Sequence, residues 1–269
     1  KHVVAEHLAV LSKLFNRVVE VDPVPCEICD PPVEYFTKLR AWQFVEYERI
    51  IYIGADQVAL KNLDHLFECI PPCAPYDFFL FETSILGTTV NGDFIVLKPS
   101  IADFDSLALK ARKWNRSDEF LAVPQTWSHS ILEKVPCRRA TYLGTYDQAL
   151  LNRHYAYDWT ILPYYYNFAP STLLQEADCD RAFLFQPERI KVVHYTFHKP
   201  WAKYLHPGMR QFFNVWVQVA LAVHRSVPFE PLNEVIERHK ADIAELQKAN
   251  TGSNAEGSTQ QQQTGPAGV

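Results

Sequence analysis

The 269-residue sequence predicts an α/β layered domain on three observations: helical and β-like patterns alternate along the chain, two short runs are almost wholly apolar, and 48% of residues are hydrophobic. That apolar content is enough for a sizeable core, expected as one domain over 1–249. Residues 3–15 place Val4, Leu8, Leu11, Leu14 and Phe15 at helical spacing, and Arg17 to Val21 follows as a short β-branched strand. After a Pro-rich loop from Asp22 to Tyr35, Leu39, Trp42 and Val45 recur at three-residue steps and predict a helix over Lys38 to Glu46. The strand Arg49 to Ile53 is apolar nearly throughout, which suits a central parallel strand covered on both faces. Phe94 to Leu97 is the second apolar run. Ser100 after it can cap a helix reaching about Trp114, with Asp103 near the positive end. Residues 146–153 read as a short helix, Trp159 to Leu162 and Ile190 to His194 as strands, and 209–224 and 231–248 as closing helices. From Asn250 the composition collapses to Gly, Ser, Thr and Gln, so 250–269 is expected to be a disordered tail.

Charge and cysteine content narrow the functional classes. The balance of 26 Lys+Arg against 31 Asp+Glu, with no basic block, lacks the footprint of a nucleic-acid binder, and an anionic ligand would need local help. No apolar run approaches the roughly 20 residues that cross a bilayer, and the first residues lack a signal peptide's layout. A soluble, cytoplasmic protein is expected. The Golgi lumen is the alternative if a targeting segment was removed ahead of Lys1. Cys26 with Cys29 and Cys69 with Cys73 could supply four thiolates to zinc. The plainer reading, ordinary thiols in two Pro-rich loops, carries more weight because a full structural unit separates the pairs. No phosphate loop or dinucleotide fingerprint is present.

The stretch from Lys38 to Phe67, with Lys38-Leu-Arg-Ala-Trp42, the strand, Gly54-Ala-Asp56 and Asn62-Leu-Asp-His-Leu-Phe67, is the most informative. It resembles the Lys-Leu-x-x-Trp helix, hydrophobic strand, Asp-x-Asp turn and Asn-[Ile/Leu]-Asp-x-Leu-Phe helix of the family 8 glycosyltransferases, which include glycogenin and the galactinol synthases. The likeness continues almost to Trp216. It implies a GT-A type three-layer α/β/α sandwich with a mixed, mostly parallel sheet. The activity it implies is a hexosyltransferase that moves a sugar from a UDP-sugar to an acceptor hydroxyl with retention of configuration. The partners implied are a UDP-sugar such as UDP-glucose, a carbohydrate or polyol acceptor and, left open, a second copy in a homodimer.

The resemblance also distributes roles. Asp56 and His194 correspond to metal ligands for Mn²⁺ or Mg²⁺, oxygen-loving ions that can neutralise a diphosphate. Since Gly54 stands at the first position of Asp-x-Asp, weak metal binding is expected. Lys38, Asn91, Gly92 and Lys199 correspond to donor-binding positions, and Asp147 with Gln148 to the Asp-Gln pair that orients the sugar at the reacting carbon. Lys199 lies in His194-Tyr-Thr-Phe-His-Lys-Pro-Trp201, which resembles the family's diphosphate loop, one residue short and without its glycine; His198 is the candidate substitute for the lost contact. Two further departures are Asp93, where the family's Asn-x-Gly has its glycine, and Gly144, where the family has an Asp. The family also opens with a strand and helix for the uracil ring that nothing ahead of residue 3 supplies.

Each residue alone has a plainer explanation. Asp56 suits a turn, Asn91-Gly92 another turn, Asp147 a helix start, and Lys199 a solvated surface. His194 and His198 fit a strand end and a loop, since Pro200 opposes a helical zinc pair. Order and spacing along the chain favour the shared site. The departures at positions 54, 93 and 144 and the shortened loop define the alternative, a catalytically impaired relative acting as a binding or scaffold subunit.

Overall fold

The computed structural model describes residues 3–27, 29, 34–77, 89–115, 120–122, 140–142, 144–156, 158–171, 186–202 and 209–240. The expected tail, and the end of the last expected helix, lie outside the described residues. In chain order the elements are helix α1 (Ala5–Leu14), a 3₁₀ helix (Tyr35–Gln43), strands β1 (Ile50–Ile53) and β2 (Gln57–Ala59), a 3₁₀ turn (Asp64–Glu68), strands β3 (Cys73–Pro75) and β4 (Phe94–Leu97), helix α2 (Ile101–Arg112), strands β5 (Phe120–Ala122) and β6 (Ala140–Tyr142), helix α3 (Tyr146–His154), strands β7 (Thr160–Leu162) and β8 (Val192–His194), and helix α4 (Arg210–Ser226). A further helical stretch covers 230–240. The chain divides into two compact units, Glu20–Tyr195 and Lys1–Val19 with Thr196–Val269.

The larger unit is built on a four-stranded sheet ordered β1-β4-β3-β7. Its centre is β4, whose four residues are all buried. Alternation along the strand sends Ile95 and Leu97 to one face, where they pack with Leu39, Trp42, Leu107 and Leu150. Phe94 and Val96 face the other side, with Leu63, Leu66, Leu162 and Val192. A strand apolar at every position has both faces covered, and the fold is therefore an α/β arrangement with side chains packed on both sides of the sheet.

The sheet is mixed, as expected, but its parallel share is smaller. β3 and β7 run parallel, whereas β1 and β3 both pair antiparallel with β4. β1, expected as the central parallel strand, stands at the end of the described order and is only partly buried. Apolar content marks a strand as coverable; it encodes neither direction nor rank in the sheet.

The three-residue steps of the sequence are explained by the 3₁₀ helix, in which side chains at i and i+3 eclipse. Phe36, Leu39 and Trp42 are its buried side chains. α2 starts where expected, Ser100 Oγ accepting a hydrogen bond from the Asp103 amide at 3.2 Å, and buries Phe104, Leu107 and Ala111. Arg17 to Val21, expected as a strand, belongs to no sheet among the described residues, and Val18, Val19 and Val21 are exposed. β-branched composition favours a strand only where a neighbouring strand offers a surface to pack on.

In the smaller unit α1 matches the first expected helix, and α4 buries Phe212, Phe213, Val217 and Ala220. His239 Nε2 meets the Pro200 carbonyl at 2.7 Å, and Trp201 lies against Trp216.

Both readings of the cysteine pairs are overturned. Cys26–Cys29 and Cys69–Cys73 are disulfides, so these four are neither free thiols nor zinc thiolates.

Candidate functional site

The carboxyl end of β1, the start of β4 and the end of β8 meet at one rim of the larger unit. The β1–β4 register sets Ile53 opposite Phe94 and carries on one step beyond the strands, where the Gly54 amide donates to the Asp93 carbonyl at 2.8 Å. The turn after Gly54 delivers Asp56, whose carbonyl accepts from the Tyr195 amide at 2.9 Å. That bond ties the turn to the residue following β8. β2 pairs antiparallel with β8, with Gln57 opposite His194.

Three ligating atoms converge here, all within 4.8 Å of one another: one each from Asp56, Asp93 and His194. His194 Nε2 stands 3.3 Å from Asp56 Oδ2 and 3.7 Å from Asp93 Oδ2. The opposite ring nitrogen, Nδ1, lies 2.8 Å from Asn167 Oδ1, an oxygen that also accepts from Gln57 Nε2 at 2.8 Å. A carbonyl oxygen can only accept, so Nδ1 carries the proton, and in neutral imidazole Nε2 presents a lone pair to two carboxylates. Two carboxylates and an imidazole nitrogen, on a histidine ring only 3% exposed, could hold a cation between them. Octahedral oxygen and nitrogen ligands about 2.1 Å from an ion stand about 3 Å apart, close to the separations seen, and the donor set fits Mg²⁺ or Mn²⁺.

Behind this group lies Lys38, carried by the 3₁₀ helix. Its ammonium donates to the Gly92 carbonyl at 3.0 Å, is 2.5 Å from both Asp93 Oδ1 and Asp147 Oδ2, and sits over the Tyr52 ring. Burial works against the charge, but Asp147 and Asp93 outweigh it and hold the ammonium pKa well above the ordinary lysine range. Asp93 thus bridges Lys38 and the His194 group, one oxygen to each.

α3 fixes the other wall. Asp147 lies in its first turn, after Tyr146, whose φ of 42° puts it in the left-handed region. Gln148 Oε1 accepts from the Gly92 amide at 3.2 Å and from Asn91 Nδ2 at 3.4 Å, while its Nε2 donates to Asp77 Oδ2 at 2.8 Å. Asn91 Oδ1 accepts from the Asp93 amide at 2.9 Å, which shapes the turn leading into β4. One turn further along α3, Asn152 Oδ1 and Nδ2 grip the Val90 amide and carbonyl, both at 2.9 Å.

Of the residues singled out in the sequence, Lys38, Asp56, Asn91, Gly92, Asp147, Gln148 and His194 therefore gather at one rim. Lys199 and His198 belong to the smaller unit. Sequence reasoning missed Asp77, Asn167 and Gln57, which hold other members in place, and took Asp93 only as a departure. The available signal for Asp93 was that two departures, at 54 and 93, fall on residues flanking the two apolar runs; pairing them requires the strand register.

No family model matches the sequence. Curated relatives do. The chain is 27% identical over 149 residues, 54% of its length, to a putative UDP-glucuronate:xylan α-glucuronosyltransferase of Arabidopsis thaliana. It is 25% identical over 169 residues, 62% of its length, to glycogenin of Neurospora crassa. A 33-residue stretch, 12% of the chain, is 54% identical to a galactinol synthase of Arabidopsis thaliana. The matched stretches span 24%, 20% and 10% of those proteins, a quarter of their length or less. Among solved structures, the glycosyltransferase GlyE of Streptococcus pneumoniae is similar at a TM-score of 0.48 and 16% identity over 77% of this chain and 46% of that one.

Proposed function

The chain belongs to the family 8 glycosyltransferases, and on that premise we propose that it transfers a hexose from a UDP-sugar to an acceptor hydroxyl with retention of configuration. The convergence of Asp56, Asp93 and His194 beside Lys38, Asp147 and Gln148 carries the reading. A divalent ion, held by Asp56, Asp93 and His194, would neutralise the donor's diphosphate. Lys38 keeps Asp93 and Asp147 in place and offsets their charge, so that a dianionic donor can enter a rim lined with carboxylates. Fixed charges of this kind favour bond breaking because they already stand where charge develops on the departing UDP. Asp147 is placed to accept from the sugar hydroxyls, and Gln148 and Asn91 brace the 90–93 turn. Lys199 is assigned to the diphosphate on the resemblance of its loop.

We place the protein in an oxidising compartment, the lumenal alternative, because the Cys26–Cys29 and Cys69–Cys73 disulfides are rare in a reducing cytoplasm. Among the described residues no helix is long and apolar enough to cross a membrane.

The test is to incubate the chain with UDP-glucose, UDP-galactose or UDP-glucuronate and Mn²⁺ and to measure UDP release. At least one donor is expected to release UDP in a Mn²⁺-dependent way. Absence of release from every donor, with no Mn²⁺-dependent UDP binding, overturns the proposal.

A further inference from the structure

We propose that Asp93 and Gly54 are a reciprocal pair: the cation-binding carboxylate that β1 would deliver at position 54 is delivered instead across the strand pair by β4, and Gly54 is glycine because Asp93 fills its space. Three observations carry this. First, the two residues are partners in register, joined by the 2.8 Å bond from the Gly54 amide to the Asp93 carbonyl. Second, a Cβ built on Gly54 would lie 3.2 Å from Asp93 Cβ, 3.5 Å from Asp93 Cγ and 3.1 Å from Asp56 Oδ1. The side chain of position 54 would therefore point at the atoms that define the site, where Asp93 already stands. Third, Gly54 lies outside the positive-φ region, so backbone freedom does not call for glycine there, and the close Asp93 Cβ and Asp56 Oδ1 are what a side chain at this position would meet.

A cluster of acids alone would say little about a ligand. Here the buried His194 directs Nε2 into the space between the two carboxylates, its other nitrogen being held by Asn167. Relocation also changes what holds the ligand. Asp93 Oδ1 is paired with Lys38, which is paired in turn with Asp147, so a group on the cation and a group on the sugar side share one ammonium.

It follows that the obvious repair, Gly54→Asp, is the wrong one. It would set a third carboxylate against Asp93 and Asp56, at contacts tight enough that a neighbour must give by a few tenths of an ångström, and would add its charge to theirs. The compatible change is the exchange Gly54→Asp with Asp93→Gly, which returns the carboxylate to β1.

The inference rests on the proposed function only for the choice of cation, and its test reads the cation directly. Mn²⁺ is titrated into the full chain, alone and with UDP, and free Mn²⁺ is followed by electron paramagnetic resonance for wild type, Asp93→Asn, Gly54→Asp and the double exchange. Circular dichroism confirms that each variant is folded. Asp93→Asn is expected to weaken Mn²⁺ binding by about tenfold or more, Gly54→Asp to weaken it as well, and the exchange to recover affinity to within about threefold of wild type. Wild-type affinity in Asp93→Asn, tighter binding in Gly54→Asp alone, or no Mn²⁺ binding by wild type overturns the inference. Should the Mn²⁺ pattern hold while no UDP-sugar is turned over, the transferase reading fails and the paired ligand stands; turnover undiminished in Asp93→Asn is the reverse.

Discussion

Gly144 has a φ of +99°, a conformation that a residue with a Cβ rarely adopts, and its hydrogen faces the Gln148 amide. A Cβ there would lie 2.6 Å from Gln148 Nε2 and 2.8 Å from its Cγ. Gln148 has no room to retreat, since its two polar ends are held by Gly92, Asn91 and Asp77. Gly144→Ala should therefore cost about 1–3 kcal/mol of stability. It should also displace Gln148 and reduce UDP-sugar turnover by up to about 100-fold. Gly144→Asp, which would recreate the family's residue, should do no better. Thermal melts and steady-state rates check both, and wild-type values for Gly144→Ala would mean that Gln148 is not placed by this packing. The departures at 54 and 144 thus fall where a side chain would meet close neighbours, and with Asp93 as the relocated ligand those at 54 and 93 compensate each other. The alternative of an impaired subunit drew its weight from treating them as independent losses and from the shortened diphosphate loop.

At the scale of elements, the helix α3 does more than cover the sheet. Three side chains on two turns, Asp147, Gln148 and Asn152, reach the Lys38 ammonium, the Gly92 amide and the Val90 backbone. The 90–93 turn is therefore moulded by α3, and the turn in turn delivers Asp93. Asn152→Ala would leave the buried Val90 amide and carbonyl without their 2.9 Å partners, at a cost of about 2–4 kcal/mol. Urea unfolding should show that loss together with a weaker Mn²⁺ affinity; a change below about 0.5 kcal/mol would mean that the clamp is replaceable. Elements of this kind differ in how openly the sequence announces them. β4 and α2 were legible because four consecutive apolar residues and a Ser with Asp three places on are local signals. The direction of β1 was not, because antiparallel and parallel strands bury the same residue types. Nor was the false strand at Arg17 to Val21 distinguishable, since what it lacks is a neighbour. The site was legible as far as single residues follow a motif, and illegible where two positions act across a register.

For the whole molecule, the decisive chemical boundary is its redox surroundings. Six cysteines occur, and the four described ones are paired over separations of three and four residues. Closing so short a loop removes little chain entropy, about 2 kcal/mol for each bridge by the loop-length relation. In a domain of this size that corresponds to a melting temperature lowered by roughly 4–8 °C per bridge on reduction, without loss of the fold, because Phe36, Leu39, Trp42 and β4 hold the core whether or not the sulfurs are joined. Cys73 is buried within β3 in the cluster on the Phe94 and Val96 face, whereas Cys26 and Cys29 are only partly buried against the Trp42 cluster, so the two bridges should differ in their ease of reduction. Denaturing alkylation followed by intact-mass measurement checks the pairing: without reductant at most two cysteines should be labelled, Cys137 and Cys179, and with reductant all six. Six labels on unreduced protein purified from an oxidising compartment would abolish both bridges, and with them the argument that places this protein in a lumen; two labels, with a modest drop in melting temperature on reduction, would show bridges that record the compartment more than they sustain the fold.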